Sequence, residues 1–136
     1  MNNSVIIDGL NAMRDEAHDC SKSKGWWDAD MPFNVPEKLA LIHSEVSEAL
    51  EDYRVTGLSE KISAHIYQNV IGDQASEFVR GDGLFNKPIG FASELADIII
   101  RVGDLAGKLG IDLGRAVEEK HAFNRTRSHR HGGKVA

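Results

Sequence analysis

The stretch from about Pro88 to Leu109 constrains this chain most, because it is apolar around most of a helical circumference yet carries one polar stripe. Phe91, Leu95, Ile98, Ile99, Val102, Leu105, Ala106 and Leu109 supply the apolar positions. Such a helix is stable in water only when neighbours cover several of its sides, as at the centre of a bundle. Glu94, Asp97, Arg101 and Asp104 follow one another at steps of three, four and three, so they share a face. That stripe has to meet something polar inside or beside the bundle.

The flanking sequence supplies the other helices. A first helix is expected from about Ser4 to Cys20, with Val5, Ile6, Leu10, Ala12, Met13 and Ala17 at helical spacings, followed by a loop over Ser21 to Phe33. The second should begin near Asn34 and Pro36, a side-chain cap followed by a first-turn proline, and stop at Gly57. Its apolar positions Leu39, Ile42, Val46, Ala49, Leu50 and Tyr53 fall on one face. Between Leu58 and Gly90, Ile62, Ile66 and Val70 suggest a short helix capped by Ser59. Beyond it, Gly72, Gly81, Gly83 and Gly90 break any regular pattern, as in an excursion or lid. Gly110 closes the third helix and Asp112 caps a fourth that runs to about Arg127; so short a link makes the two antiparallel neighbours.

The expected architecture is therefore all-α: one four-helix-bundle-like domain over residues 1–128, with an inserted loop or short helix between the second and third helices. Residues 129–136 form a flexible basic tail. At 136 residues there is room for one core, and a third helix this apolar predicts burial against further copies in a homo-oligomer. The single cysteine, Cys20, excludes an internal disulfide and fits a reducing cytoplasm. Met1 to Leu10 lacks the basic-then-apolar order of a signal peptide, and no apolar run approaches a membrane span. A net charge of −5 disfavours wrapping a phosphate backbone, so neither a nucleic acid polymer nor a membrane is expected as a partner.

The chemistry lies in the acidic spacings. Glu45, Glu48 and Asp52 on the second helix repeat the three-and-four spacing of the third-helix stripe. An i, i+3 pair brings two carboxylates within reach of one cation. A lone Glu-x-x-Glu is usually a solvated face. Glu94 and Asp97 are more telling, because Phe91, Leu95, Ile98 and Ile99 surround them. If the two stripes face each other, four carboxylates converge, and their repulsion is relieved by a divalent cation. An all-oxygen ligand set suits Mg²⁺ or Mn²⁺, with open positions for phosphate oxygens and water.

On the fourth helix Lys120, Asn124 and Arg127 share another face, suited to a triphosphate and equally to a solvated helix C-terminus. Either Trp26 or Trp27 is a candidate to stack on a nucleobase, and both are candidates to plug the bundle end or an interface. Glu118-x-x-His121 copies half of a di-iron motif, but no partner motif exists on another helix. His43 points away from Glu45 by helical phase and is expected to be partly buried, while His129, Arg130 and His131 could touch phosphate from the tail.

The run Glu37 to Glu51, the run Glu94-Leu-Ala-Asp97-Ile-Ile-Ile-Arg101 and Lys120-x-x-x-Asn124-x-x-Arg127 together resemble the MazG-like all-α nucleotide pyrophosphohydrolases. The Gly25-Trp-Trp27 loop and the Asn124 to Lys134 ending are similar to the compact members common in phages and bacteria. The resemblance implies hydrolysis of (deoxy)nucleoside triphosphates, with purine dNTPs a natural choice, to monophosphate and pyrophosphate. It implies that Glu45, Glu48, Glu94 and Asp97 hold two or three Mg²⁺ or Mn²⁺ ions, and that Glu45 and Glu48 are the catalytic pair. It implies that Lys120, Asn124 and Arg127 contact phosphates or their metals, in a cytoplasmic homodimer or homotetramer. The sequence departs from the family where Ser44 replaces the first of two adjacent glutamates, and the spacer between the acidic motifs is longer than usual. A non-catalytic helical interaction module, its acidic stripes paired with a partner's cations, is the alternative.

Overall fold

The computed structural model describes residues 3–57, 66–69 and 86–135, and within them the chain is predominantly helical. Helix α1 spans Asn3–Ser23 and α2 spans Val35–Thr56; after strands β1 (Ile66–Asn69) and β2 (Asn86–Ile89) come α3 (Phe91–Leu109) and α4 (Leu113–Thr126). None of these helices is long and apolar enough to cross a membrane.

The helix ends fall where the capping residues place them. Asn34 Oδ1 accepts the Glu37 amide at 2.7 Å and Pro36 occupies the first turn of α2, which satisfies one donor that the helix itself leaves orphaned. At the other end Gly57 takes φ = 61° and donates its amide to the Tyr53 carbonyl. Asp112 Oδ1 caps α4 through the Arg115 amide at 3.1 Å.

Two expectations for the inserted segment need correction. Ile66, placed above in a short helix, lies in β1, and Pro88, placed above in the first turn of α3, lies in β2. The strands pair antiparallel, with Ile66 opposite Ile89 and Tyr67 opposite Pro88. Proline lacks a ladder donor and is tolerated on a strand with one free edge, which each strand of a two-stranded ladder has. Gly90, at φ = 105°, separates β2 from α3, so the helix begins at Phe91. Ser59, Ile62, Val70 and the glycines from Gly72 to Gly83 lie outside the described residues.

The chain divides into two compact units, one of Met1–Pro32 with Val102–Ala136, the other of Phe33–Arg101. In the first, α1 lies against the end of α3 and the start of α4 through glycines. A Cβ on Gly107 would meet His18 Cβ at 2.6 Å, and one on Gly114 would come within 2.7 Å of Ile7 Cα. Polar ties reinforce this contact: Asn11 Nδ2 donates to Asp112 Oδ1 and the Gly114 amide donates to Asn11 Oδ1, both at 2.8 Å. Arg14 reaches the Ile111 carbonyl at 2.8 Å. In the tail, Arg130, His131, Gly132 and Gly133 all take positive φ, closing one left-handed turn in which the Lys134 amide donates to the Arg130 carbonyl.

The second unit holds α2, the β ladder and the first ten residues or so of α3. Ala49 is buried, but Leu39, Val46, Leu50 and Tyr53, which share its apolar face of α2, are about half exposed, as are Leu95, Ile99 and Ile100 on α3. The apolar coverage expected around α3 is thus not supplied by the described residues of a single chain.

Candidate metal centre

Within the second unit, α2 and α3 bring their acidic stripes together. Carboxylate oxygens of Glu45, Glu94 and Asp97 lie within 4.8 Å of one another. Glu45 is buried on the same face of α2 as Ala49, one turn on, whereas Glu48 is exposed and bonds to both Glu45 and Glu94. Spacing made Glu45 and Glu48 equivalent. Packing separates them into a deep carboxylate and one at the mouth.

The electrostatics follow from that crowding. Burial pushes the Glu94 carboxyl up to about 7, and the charges of Glu48 and Asp97 push in the same direction. Glu48 is also raised, first by the hydrogen bond that it shares with Glu45 and then by burial. For Glu45 burial again acts upward, but hydrogen bonds from Arg101 and Glu48 and the Arg101 charge outweigh it and hold the group below the ordinary glutamate range. At neutral pH the cluster therefore keeps Glu45 ionised and holds a proton part of the time on Glu94. One Glu94 oxygen is buried without a hydrogen-bond partner among the described residues, a costly state for a carboxylate.

A divalent cation fits this set. The donors are all hard oxygens, three of them close enough to share one ion, and the cation would offset the carboxylate repulsion that adds to the burial of Glu94 and to the Glu45 hydrogen bond of Glu48. Ser44, in the place of the family's adjacent glutamate, is exposed and donates its hydroxyl to the Leu41 carbonyl at 2.6 Å. It offers the cluster no carboxylate. His43 is exposed, not partly buried as expected, because α2 turns that side away from the packed face.

Two further stripe residues, Arg101 and Asp52, act on the cluster. Arg101 Nε donates to Glu45 Oε1 at 2.5 Å, and the Asp52 charge adds to the pressure on Glu94. The available signal was their spacing, Arg101 one turn beyond Asp97 and Asp52 one turn beyond Glu48. Asp104, by contrast, belongs to a different cluster. Its Oδ1 accepts from Trp27 Nε1 at 2.7 Å and lies 2.8 Å from His18 Nδ1. The His18 and Trp27 rings meet edge to face at 5.6 Å, and Lys108 lies 5.3 Å from the Trp27 ring. Trp27 is thus committed to holding its loop in place, and Trp26, 58% exposed, is the tryptophan with an open face.

The remaining candidates lie in the first unit. Lys120 and Asn124 are exposed on α4, and Arg127 is exposed at its C-cap. Lys120 and Asn124 border an open groove of ≈ 450 Å³ together with Ala116, Val117 and His121. Lys120 and Arg127 both approach the Phe123 ring, at 5.5 and 5.8 Å. Glu118 is buried and accepts from Arg125 at 3.2 Å, while His121 is exposed. His129, Arg130 and His131 are exposed in the tail turn. The chain matches no family model, no curated protein and no solved structure, so the likeness to MazG-like enzymes rests on its motifs alone.

Proposed function

We propose that this protein is a divalent-metal-dependent hydrolase of the MazG-like kind, splitting a (deoxy)nucleoside triphosphate into its monophosphate and pyrophosphate. The observation that carries this reading is the convergence of Glu45, Glu94 and Asp97 within 4.8 Å, with Glu48 at the mouth. Bound Mg²⁺ or Mn²⁺ would neutralise phosphate oxygens and acidify a water at that place. Glu45, Glu94 and Asp97 would hold the ion, and Glu48, exposed beside them, would take a proton from the attacking water. The bond broken is the bridge between the α- and β-phosphates, and pyrophosphate leaves. Lys120, Asn124 and Arg127 are assigned to phosphate only through the family resemblance. Trp26, the more exposed of the two tryptophans, would be the one to stack on a base.

Self-association is part of this proposal. The half-exposed Leu39, Val46, Leu50 and Tyr53 on α2, with Leu95 and Ile99 on α3, are the kind of apolar stripe that a second copy covers in a helical homodimer.

The test is a panel of nucleoside triphosphates with Mg²⁺ or Mn²⁺ and identification of the products. Monophosphate and pyrophosphate should form, and Asp97→Ala or Glu48→Ala should abolish turnover; wild-type rates in both variants would remove the site from consideration. The Arg101–Glu45 pair favours the second reading, an interaction module whose acids are neutralised without a metal. That reading requires a melting temperature indifferent to Mn²⁺ plus nucleotide, whereas a ligand that binds only the native state raises it.

A further inference from the structure

Arg101 stands on the same face of α3 as Glu94 and Asp97, one turn beyond the latter, and it reaches across to α2. Its ion pair with Glu45 is uneven: the glutamate side chain is 8% exposed and the arginine side chain 41%. The guanidinium therefore runs from a buried carboxylate out to solvent. It spends its Nε on Glu45, and among the described residues its other donors make no hydrogen bond. A buried carboxylate stripped of its cation is strongly destabilised, so Glu45 needs a positive partner at all times.

A divalent cation seated among Glu45, Glu94 and Asp97 would be such a partner, but it would also repel the guanidinium that already holds Glu45. Two cations cannot both take the same carboxylate at full strength. The Arg101 side chain is 41% exposed, and the two Nη groups of a guanidinium match the paired oxygens of a phosphate group. An incoming polyphosphate would thus offer the displaced guanidinium a new anion within a side-chain rotation of its present place.

We propose that Arg101 is a placeholder cation, neutralising Glu45 while no metal is bound and turning to a substrate phosphate oxygen when a divalent ion takes Glu45. This rests on the metal-site assignment above and adds a consequence that assignment does not contain. A polyphosphate that draws Arg101 off Glu45 makes the site bind metal more tightly, and by linkage the metal strengthens polyphosphate binding equally.

The test uses the full chain and two probes, Mn²⁺ alone and inorganic triphosphate, which carries the phosphate chain without a base. Mn²⁺ affinity is measured by calorimetry in wild type, Arg101→Gln and Arg101→Lys, each with and without triphosphate. Arg101→Gln should bind Mn²⁺ alone about five- to tenfold more tightly than wild type, within the usual range of site coupling, while the gain that triphosphate gives wild type shrinks towards unity. Arg101→Lys keeps the charge but loses the paired geometry, so it should bind Mn²⁺ like wild type with a reduced triphosphate gain; it also carries the test if the glutamine variant does not fold. Weaker Mn²⁺ binding by Arg101→Gln, or an intact triphosphate gain in both variants, would overturn the proposal and leave Arg101 as a fixed support for Glu45. A wild type that binds Mn²⁺ normally in those same titrations keeps the metal site standing regardless, and one that binds none overturns both.

Discussion

Replacing Glu94 by glutamine should convert a pH-sensitive protein into one much less so. Glu94 has its carboxyl raised to about 7, against 4.5 for an unperturbed glutamate. Because the folded value lies above the unfolded one, the group contributes stability that is fully present below about pH 4.5. That contribution is lost as the pH climbs through about 7. The gap corresponds to roughly 3 kcal/mol, and water reaching this half-open site reduces the working figure to about 2 kcal/mol. Glutamine has nearly the same shape and cannot ionise. Metal-free wild type should thus lose about 2 kcal/mol more than Glu94→Gln between pH 5 and pH 8.5. Glu48 is raised by its bonding and charge interactions within the same cluster, and part of its titration will move with Glu94, so the difference reports the pair.

Urea unfolding with a chelator, at one protein concentration, measures this directly. With a slope of about 1–2 kcal/mol per molar, the wild-type midpoint should fall by roughly 1–2 M more than the variant's over that pH range. Added Mn²⁺ should reverse the wild-type trend, because metal binding needs deprotonated ligands and therefore favours the folded state as the pH rises. Parallel wild-type and variant curves across pH, in the absence of metal, would show that Glu94 ionises freely and that the carboxylates do not crowd as described.

Four further substitutions test the packing of the first unit and the proposed self-association. Gly114→Ala places a methyl against the Ile7 backbone, which has no flexible end to move aside, and should cost about 3 kcal/mol, read from thermal unfolding. Trp27→Phe removes the indole donor to Asp104 and should cost on the order of 1–3 kcal/mol, while Trp26→Phe should change stability by less than about 0.5 kcal/mol; equal effects would contradict the assignment of one tryptophan to structure. Leu50→Glu should turn the proposed dimer into a monomer in sedimentation at micromolar concentration, with far-ultraviolet circular dichroism retained.

The helices were legible in the sequence because their signals are local. Asn34 with Pro36, Gly57, Gly110 and Asp112 each act within one turn of the residue that carries them, and the observed ends agree. The ladder was not legible, because its pairing joins Tyr67 to Pro88 across a separation that no short window sees. A proline near a helix start and a proline on a strand edge also give the same local signal. What covers the apolar face of α2 was not legible for a related reason. Periodicity shows that Leu39, Val46 and Leu50 share a face, but whether the same chain covers that face depends on partners far away in sequence or on a second copy.

The polar stripe of α3 shows how far helical spacing carries an argument about function. Glu94, Asp97, Arg101 and Asp104 share a face, yet ten residues at about 1.5 Å each separate the ends of the stripe by about 15 Å along the helix. That is too far for one ion and its ligands. What divides the stripe is the partner opposite each turn. Glu45 and Glu48 lie by the first turns and build the acid cluster, while His18 and Trp27 lie by Asp104 and build a structural anchor. Angular position identified which residues share a surface; only the facing side chains decide which of them share a task. Among the described residues Arg101 bonds to Glu45, so its chemistry belongs with the acid cluster, and under the proposal above its charge is the one a bound cation would have to displace.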